Sequence, residues 1–248
     1  MKRRVRGAAR HVAVLAAALF VSAMQALAQP ASAAGASTPA TVVLLHGLGR
    51  SKSAMWRLEN RLEGAGFKVE SIGYRSLSQS PAQIIEAVER QIRACCGAVD
   101  GKLHFVGHSL GGLLIRAYLQ RHDVPELGRV VLIGTPNQGT EIVDRFRDRW
   151  WMRLAGPTAR ALGTNDDSLP SSLAPPYYPV GVIAGVTGSG RNDAVLPGDD
   201  DGLVSVEATK LEGMTDFVVV DSGHSLMRYS DEVANQTIMF LRQGRFSH

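Results

Sequence analysis

The chain has 248 residues, of which 45% are hydrophobic, 20% charged and 6% aromatic, an ordinary balance for a globular protein with one sizeable core. Its formal charge of +4 would favour an anionic partner if the positive charges were spread over the fold. Five of the basic residues, however, lie within the first ten positions, and removing them takes the charge from +4 to −1. A role in nucleic acid binding therefore loses its main support.

The first segment has the three parts of a secretory signal peptide, which we assign to residues 1–28. Its basic head is followed by an apolar run from Val12 to Met24 and by the small-x-small sequence Ala26-Leu27-Ala28. The apolar run is shorter than the ~20 residues of a membrane span. Residues 29–40 are mostly small, and we expect a disordered lead-in there. The segment predicts a secreted or periplasmic protein.

Apolar segments alternate with helical ones in the rest of the chain, which predicts a parallel sheet covered by helices on both faces. The six predicted strands span residues 41–45, 68–73, 103–106, 129–134, 180–185 and 216–220. Helical spacing indicates helices over 53–62, from Ser80, after the third strand and over 230–241. In such a sheet the functional residues gather beyond the carboxyl ends of the strands. We expect a single domain, residues 41–248.

The two cysteines, Cys95 and Cys96, are adjacent. A bridge between sequence neighbours is strained and closes no long loop. In an oxidising compartment this bridge can still form, or each cysteine remains a free thiol. Their spacing resembles no zinc or redox site, and no function is assigned to them.

The third strand runs into the sequence Gly107-His108-Ser109-Leu110-Gly111 and then into an apolar helix. This order is typical of a nucleophile elbow, in which a serine lies on a tight turn. The residues two before and two after the serine crowd that turn, so both must lack a side chain. The pattern indicates Ser109 as a nucleophile at a helix N-terminus, where partial positive charge favours a developing anion.

A serine hydroxyl needs a base within hydrogen-bond reach, and the base needs a partner that holds its tautomer. We predict His224, which follows the sixth strand, as the base, because the positions of the other six histidines explain them otherwise. We predict Asp201, in the loop after the fifth strand, as the partner. Asp199 and Asp200 adjoin it and remain alternative carboxylates. The three aspartates also suit Ca²⁺, although a solvated turn explains them as well.

A tetrahedral intermediate also needs N–H groups aimed at its oxyanion. Leu110, the residue after the nucleophile, supplies one of them. The second is expected from Leu48, in the loop His46-Gly47-Leu48-Gly49 after the first strand. The predicted oxyanion hole therefore consists of the backbone amides of Leu48 and Leu110.

Five short sequences carry a resemblance to a known family: His46 to Gly49, Gly107 to Gly111, Gly134 to Thr140, Asp201 to Val204 and Gly223 to Ser225. Together they resemble bacterial lipases and esterases of the α/β-hydrolase superfamily over about residues 41–243. The resemblance implies a minimal, six-stranded α/β-hydrolase fold and a triad in the chain order Ser109, Asp201, His224. It favours Asp201 over its two neighbours.

Residues 141–178, between the fourth and fifth strands, are predicted to form a lid or cap segment. Ile142, Phe146, Trp150 and Leu154 follow at four-residue steps, which predicts an amphipathic helix. The pattern is equally compatible with a lid whose apolar face contacts lipid and with a helix packed on the core.

The sequence predicts a secreted serine hydrolase, a lipase or carboxylesterase, that acts on an ester or lipid substrate through an acyl-enzyme. We expect a monomer that needs no cofactor and no metal. A thioesterase, an amidase and an acyltransferase use the same machinery and remain alternatives. A non-catalytic binding module or a helper of another lipase is a more distant alternative, because it would have no need of a complete triad.

Overall fold

The computed structural model describes residues 38–187, 192 and 194–248. The predicted signal peptide, 1–28, and most of the predicted lead-in lie outside the described residues. Residues 38–40, the end of that lead-in, are in neither helix nor strand. The sheet begins immediately after them, since Lys68 N donates a hydrogen bond to Ala40 O at 3.0 Å.

Six strands form one sheet: β1 (Thr41–Leu45), β2 (Lys68–Ile72), β3 (Leu103–His108), β4 (Leu127–Ile133), β5 (Val180–Val186) and β6 (Asp216–Asp221). Their order is β2-β1-β3-β4-β5-β6, and every pair of neighbours is parallel. The predicted six-stranded α/β fold is confirmed. The chain steps from β1 outward to β2 and then returns to the other side of β1, so the loops after β1 and β3 meet at the carboxyl edge.

The inner strands are buried on both faces, as their continuous apolar sequences predict. Every residue of β1 and of β3 is buried, whereas the edge strands β2 and β6 carry exposed or half-buried residues. Successive residues of β1 point to opposite faces, so Val43 and Val42 belong to two different apolar clusters. The sheet thus has an apolar layer on each side.

Seven helices lie in the described residues: α1 (Trp56–Gly64), α2 (Pro81–Cys96), α3 (Leu110–Leu119), α4 (Glu141–Phe146), α5 (Gly156–Arg160), α6 (Val206–Thr209) and α7 (Asp231–Gln243). Helices α2 and α3 pack on one face of the sheet, and α1 and α7 pack on the other. As predicted, α2 begins after Ser80, whose side chain accepts from Gln83 N while Gln83 Oε1 accepts from Ser80 N. No helix of the described residues is long and apolar enough to cross a membrane.

Within the cap segment, residues 141–178, the part from 141 to 155 does not form the one amphipathic helix that its four-residue spacing predicted. The segment contains the short helices α4 and α5 together with two turns of 3-10 helix. A residue four positions on lies about 40° past a full helical turn, so a four-residue repeat drifts off one face within a few steps. Trp150 and Leu154 are exposed at 75% and 72%, whereas Val143 and Met152 are buried.

The adjacent cysteines lie at the end of α2. Cys95 and Cys96 are joined by a disulfide, which answers the choice that the sequence left open. Cys96 is buried against the apolar layer formed by α2 and α3, while Cys95 is half-buried. Cys96 and Leu103, the first residue of β3, line the same small pocket, so the disulfide lies at the opposite end of β3 from Ser109.

Candidate active site

Ser109 occupies the tight turn between β3 and α3. Its backbone angles are φ 55° and ψ −124°, and it is the only described residue other than glycine with a positive φ. A non-glycine residue in that region carries backbone strain and needs its surroundings to hold it there. The turn lifts the side chain clear of the strand, as the sequence predicts for a nucleophile elbow.

Two glycines make room for this turn. A Cβ on Gly107 would lie 2.5 Å from the backbone nitrogen of Gly112, and a Cβ on Gly111 would lie 2.5 Å from the carbonyl oxygen of Leu45. Both distances are far below van der Waals contact and involve backbone atoms that cannot move aside. The prediction that both flanking positions must lack a side chain is confirmed.

Two consecutive hydrogen bonds join Ser109, His224 and Asp201. His224 Nε2 lies 2.9 Å from Ser109 Oγ, and His224 Nδ1 lies 2.7 Å from Asp201 Oδ2. An ionised carboxylate only accepts, so Nδ1 donates to it and Nε2 is left to accept from the serine hydroxyl. All three residues are buried, at 8%, 8% and 3% exposure in the order given above. The structure brings the three predicted residues together although they come from three separate loops.

A turn fixes the Asp201 carboxylate. Its Oδ1 accepts from Leu203 N at 2.9 Å and from Val204 N at 2.8 Å, which leaves Oδ2 for the imidazole. The backbone of Asp201 also holds the histidine loop, because His224 N donates to Asp201 O at 2.8 Å. The side chain is therefore tied in position before any substrate binds.

Its two acidic neighbours do not reach His224. Asp200 Oδ1 accepts from Gly202 N at 2.6 Å and so serves the turn itself. Asp199 contributes its carbonyl oxygen, which accepts from Val206 N at 2.8 Å. Among the described residues no group of three His, Cys, Asp or Glu side chains is arranged to hold a metal ion. The Ca²⁺ alternative thus gains no support from the geometry.

His108, directly before the nucleophile, is a site residue that the sequence did not assign. It is fully buried, and its Nε2 donates to the carbonyl oxygen of His224 at 2.8 Å. Burial, the largest cause, lowers the pKa of His108 to about 3 together with the nearby imidazole of His224 and the guanidinium groups of Arg228 and Arg50. The ring is therefore neutral at ordinary pH and acts as a fixed donor to the loop that carries the base.

The loop of Leu48 is held by the loop that follows β2. Tyr74 stacks on His46 with ring centroids 4.0 Å apart, and its hydroxyl donates to the carbonyl oxygen of His46. Gly49 N donates to Ser76 Oγ at 2.8 Å. Burial lowers the pKa of His46 and raises that of Tyr74, so this pair stays uncharged.

The two amides predicted for the oxyanion hole are available. Leu110 is the first residue of α3, so its N–H has no acceptor within the helix. The N–H of Leu48 makes no hydrogen bond to the described residues. The loop approaches the nucleophile closely, because a Cβ on Gly47 would lie 3.2 Å from Ser109 Cβ. Their role as oxyanion donors remains a prediction.

An apolar cavity of about 250 Å³ opens beside Ser109 and His224. Its apolar lining comes from the loop after β1, the cap segment and the turn after Asp201, and includes Leu48, Val143, Met152, Ala159, Leu162 and Leu203. None of the described residues that line it is acidic. The cavity suits a hydrocarbon chain whose first carbon lies next to the serine.

The chain is similar to known proteins in sequence and in fold. The model of the palmitoyl protein thioesterase family matches residues 41–171, slightly more than half of the chain. The matched part includes Ser109 and ends before Asp201 and His224. Among curated proteins no sequence relative matches the chain.

Several solved structures share the fold. The mature form of Bacillus licheniformis lipase BlEst2 superposes with a TM-score of 0.61 and 19% identity, over 84% of this chain and 93% of the lipase. Phospholipase PlaB from Legionella pneumophila gives 0.61 and 14%, over 81% of this chain and 57% of its own. A thioesterase described as putative, from Silicibacter sp. TM1040, gives 0.55 and 20%, over 79% and 76%.

Proposed function

This chain belongs to the palmitoyl protein thioesterase family, and we propose that it is an exported serine hydrolase that cleaves acyl esters or thioesters. Family and fold make it an α/β hydrolase of the lipase, esterase and thioesterase type. One observation carries the finer proposal: the two hydrogen bonds that run from Asp201 through His224 to Ser109 end at the wall of an apolar cavity.

The proposed reaction proceeds in two acyl transfers. Ser109 Oγ attacks the acyl carbonyl while His224 Nε2 takes its proton, and the imidazolium that forms is stabilised by the Asp201 carboxylate. The N–H groups of Leu48 and Leu110 donate to the oxyanion of the tetrahedral intermediate. His224 then protonates the departing alcohol or thiol, which leaves the acyl group on Ser109. A water molecule, deprotonated by the same histidine, releases the acid.

The cavity supports an acyl chain as the common part of the substrates. Three of the similar structures are described as a lipase, a phospholipase and a putative thioesterase, which agrees with one acyl site and varied leaving groups. The thioesterase family favours a thioester, while an ester is cleaved by the same groups. Amide hydrolysis and acyl transfer to an alcohol are the alternatives that use this triad.

The proposed location follows from residues 1–28. Their basic head, apolar run and small-x-small end support export to the periplasm or the medium. The disulfide between Cys95 and Cys96 agrees with an oxidising compartment.

Hydrolysis of p-nitrophenyl esters from acetyl to palmitoyl, together with S-acyl thioesters of the same lengths, tests the proposal. We expect activity in the purified protein and its loss in Ser109→Ala, with an unchanged circular dichroism spectrum. Ser222→Ala is the matched control, because this hydroxyl lies in the loop of His224 and contacts only Gly223 O. Equal rates in the Ser109→Ala variant and the wild type would show that the mechanism is wrong.

A further inference from the structure

A second, polar groove adjoins the apolar cavity. It has a volume of about 610 Å³, and its lining includes Gly49, Arg50, Ser51, Ser53, Trp56 and Arg228. Arg50 lines both the groove and the cavity. A substrate with its acyl chain in the cavity and its carbonyl at Ser109 therefore has a path past Arg50 for the part that leaves.

The two arginines of this groove have no counter-ion among the described residues. Arg50 is exposed, and its guanidinium donates to Ser225 Oγ at 3.5 Å. Arg228 is 8% exposed, donates through Nη1 to Ser225 O and lies over the Tyr229 ring at 4.5 Å. Its Nε is buried without a hydrogen-bond partner. Within the described part of the chain, neither arginine forms an ion pair, and no residue that lines the groove is acidic.

Neighbouring arginines are satisfied differently. Arg57 and Arg61, on the exposed face of α1, both lie close to Asp231, at 3.4 and 3.5 Å. A buried cation without an anionic partner is costly, because a carbonyl oxygen and an aromatic ring replace its lost hydration only in part. The cost that Arg228 carries is relieved when a ligand brings an anion into the groove. The positive charges of Arg50 and Arg228 also act on His108, next to Ser109, where both help to lower its pKa.

We propose that Arg50 and Arg228 bind a phosphate carried by the leaving group, so that the substrate is an acyl ester or thioester of a phosphorylated alcohol or thiol. A phosphate suits two guanidinium groups better than a single carboxylate does. Each guanidinium presents N–H donors in a fork, and the phosphate offers three oxygens and up to two negative charges. Ser51 Oγ and Ser53 Oγ lie 2.8 Å apart at the groove wall, so one hydroxyl donates to the other and the second O–H is available as a further donor. The bond to phosphorus stays intact, because only the acyl–oxygen or acyl–sulfur bond breaks.

This inference rests on the proposed hydrolysis, and two matched pairs of substrates test it separately from that hydrolysis. S-octanoyl phosphopantetheine is compared with S-octanoyl pantetheine, and monooctanoylglycerol phosphate with monooctanoylglycerol. Within each pair only the phosphate differs. Neutral p-nitrophenyl octanoate reports the hydrolytic machinery alone. We expect kcat/KM to be about tenfold or more higher for the phosphorylated member of at least one pair, the size of one charge-assisted contact. The pair that shows it identifies the source of the phosphate.

The variants Arg50→Gln and Arg228→Lys then locate the effect. Arg50→Gln removes an exposed charge, and we expect it to bring the ratio of kcat/KM within each pair close to one, because the rate falls more for the phosphorylated member than for its phosphate-free partner or for p-nitrophenyl octanoate. Arg228→Lys keeps a charge in the buried position but loses the fork, and we expect the preference to fall severalfold. Arg57→Gln is the control, because it changes the net charge equally but removes an arginine already placed beside Asp231.

The possible results distinguish failure of the phosphate inference from failure of the proposed hydrolysis. Equal rates within both pairs overturn the inference even if p-nitrophenyl octanoate is cleaved. A preference that survives Arg50→Gln and Arg228→Lys, or that Arg57→Gln reduces as much, also overturns it. An equal loss of kcat/KM on all substrates in Arg50→Gln would overturn it too, because Arg50 would then only position the loop of His224. If no substrate is cleaved, including p-nitrophenyl octanoate, the proposed function itself fails and the inference with it.

Discussion

His108 Nε2 donates a hydrogen bond to the carbonyl oxygen of His224 at 2.8 Å, so the residue before Ser109 holds the loop that carries His224. The contact joins the end of β3 to the loop after β6, 116 positions apart. A carbonyl oxygen only accepts, so the proton of the neutral His108 ring lies on Nε2. The position of His224 relative to Ser109 therefore depends on this donor as well as on the Asp201 carboxylate.

Replacing His108 by asparagine or by glutamine distinguishes the effect of losing the Nε2 donor from the effect of losing the imidazole ring. The amide nitrogen of glutamine reaches about as far as Nε2, whereas that of asparagine ends near Nδ1. We expect His108→Asn to lower kcat about tenfold with KM little changed, since one buried hydrogen bond is lost. His108→Gln should retain most of the rate. Steady-state kinetics on p-nitrophenyl octanoate checks both, and equal losses in the two variants would contradict a role for the donor.

Asp201→Asn should leave the turn intact and remove turnover. Asparagine Oδ1 still accepts from Leu203 N and Val204 N, but its amide now faces His224 Nδ1 with a donor. The imidazole is then held in the wrong tautomer, for which a loss of about 10⁴-fold in kcat is expected. Asp200→Asn is the matched control, because Asn also accepts from Gly202 N there. A comparable loss in both variants would return the choice of carboxylate to the whole aspartate cluster.

The cavity sets an expected chain length. At about 30 Å³ for each group of the size of water or a methylene, a cavity of 250 Å³ holds an acyl chain of about eight carbons. The p-nitrophenyl ester series should therefore show its highest kcat/KM near octanoate.

Ala159→Phe, on α5, should shorten that optimum. Ala159 is buried and lines the cavity, so a phenyl ring there fills part of the space for the chain. We expect kcat/KM for octanoate to fall about tenfold or more while butyrate is cleaved nearly as before. Ala82→Phe, on the exposed side of α2, is the control. An unchanged chain-length profile in Ala159→Phe would show that the acyl chain binds elsewhere.

Two buried histidines predict that the protein loses stability in mild acid. Burial lowers the pKa of His104 to about 4 and that of His108 to about 3, while in the unfolded chain each titrates near 6.5. Between these values the unfolded chain binds more protons, so the free energy of unfolding falls as the pH drops below 6.5. Each histidine contributes a slope of up to about 1 kcal/mol per pH unit.

Urea denaturation between pH 4 and 8 measures this slope. His104→Asn keeps a side-chain acceptor for Arg129 N but no longer titrates, so we expect its stability to depend less steeply on pH between about 4.5 and 6. Between pH 7 and 8 the histidine is neutral in both states, and this pair of pH values is the internal control. An identical slope in the variant and the wild type at low pH would exclude His104 as a cause.

The sequence predicts the sheet well because parallel strands covered on both faces are continuous apolar runs, and all six lie within two residues of their predicted ends. Ser109 could be predicted because its turn requires glycine at positions 107 and 111, and this requirement is visible as the Gly-x-Ser-x-Gly pattern. The cap segment was less predictable. Its four-residue spacing describes a stripe that winds around a helix, so it does not mark one buried face, and the structure has several short helices there.

For other site residues, no local sequence pattern predicts the role. His108 becomes a donor only because the loop of His224 passes over the end of β3, and that contact depends on strand order. Arg50 and Arg228 meet at Ser225 from opposite ends of the chain. Their sequence neighbours give no hint of a shared groove, since most arginines are simply solvated or paired with a nearby carboxylate, as Arg57 is.

The backbone angle of Ser109 shows that the proposed active site is preorganised. A serine at φ 55° holds a conformation that costs about 1–3 kcal/mol, and glycine would adopt it more easily. The folded state carries this strain permanently, before substrate arrives. In the proposed mechanism the hydroxyl therefore needs no rearrangement before it attacks, and the binding energy of the proposed acyl chain is free to orient the carbonyl. The protein is preorganised at this position at the expense of its own stability.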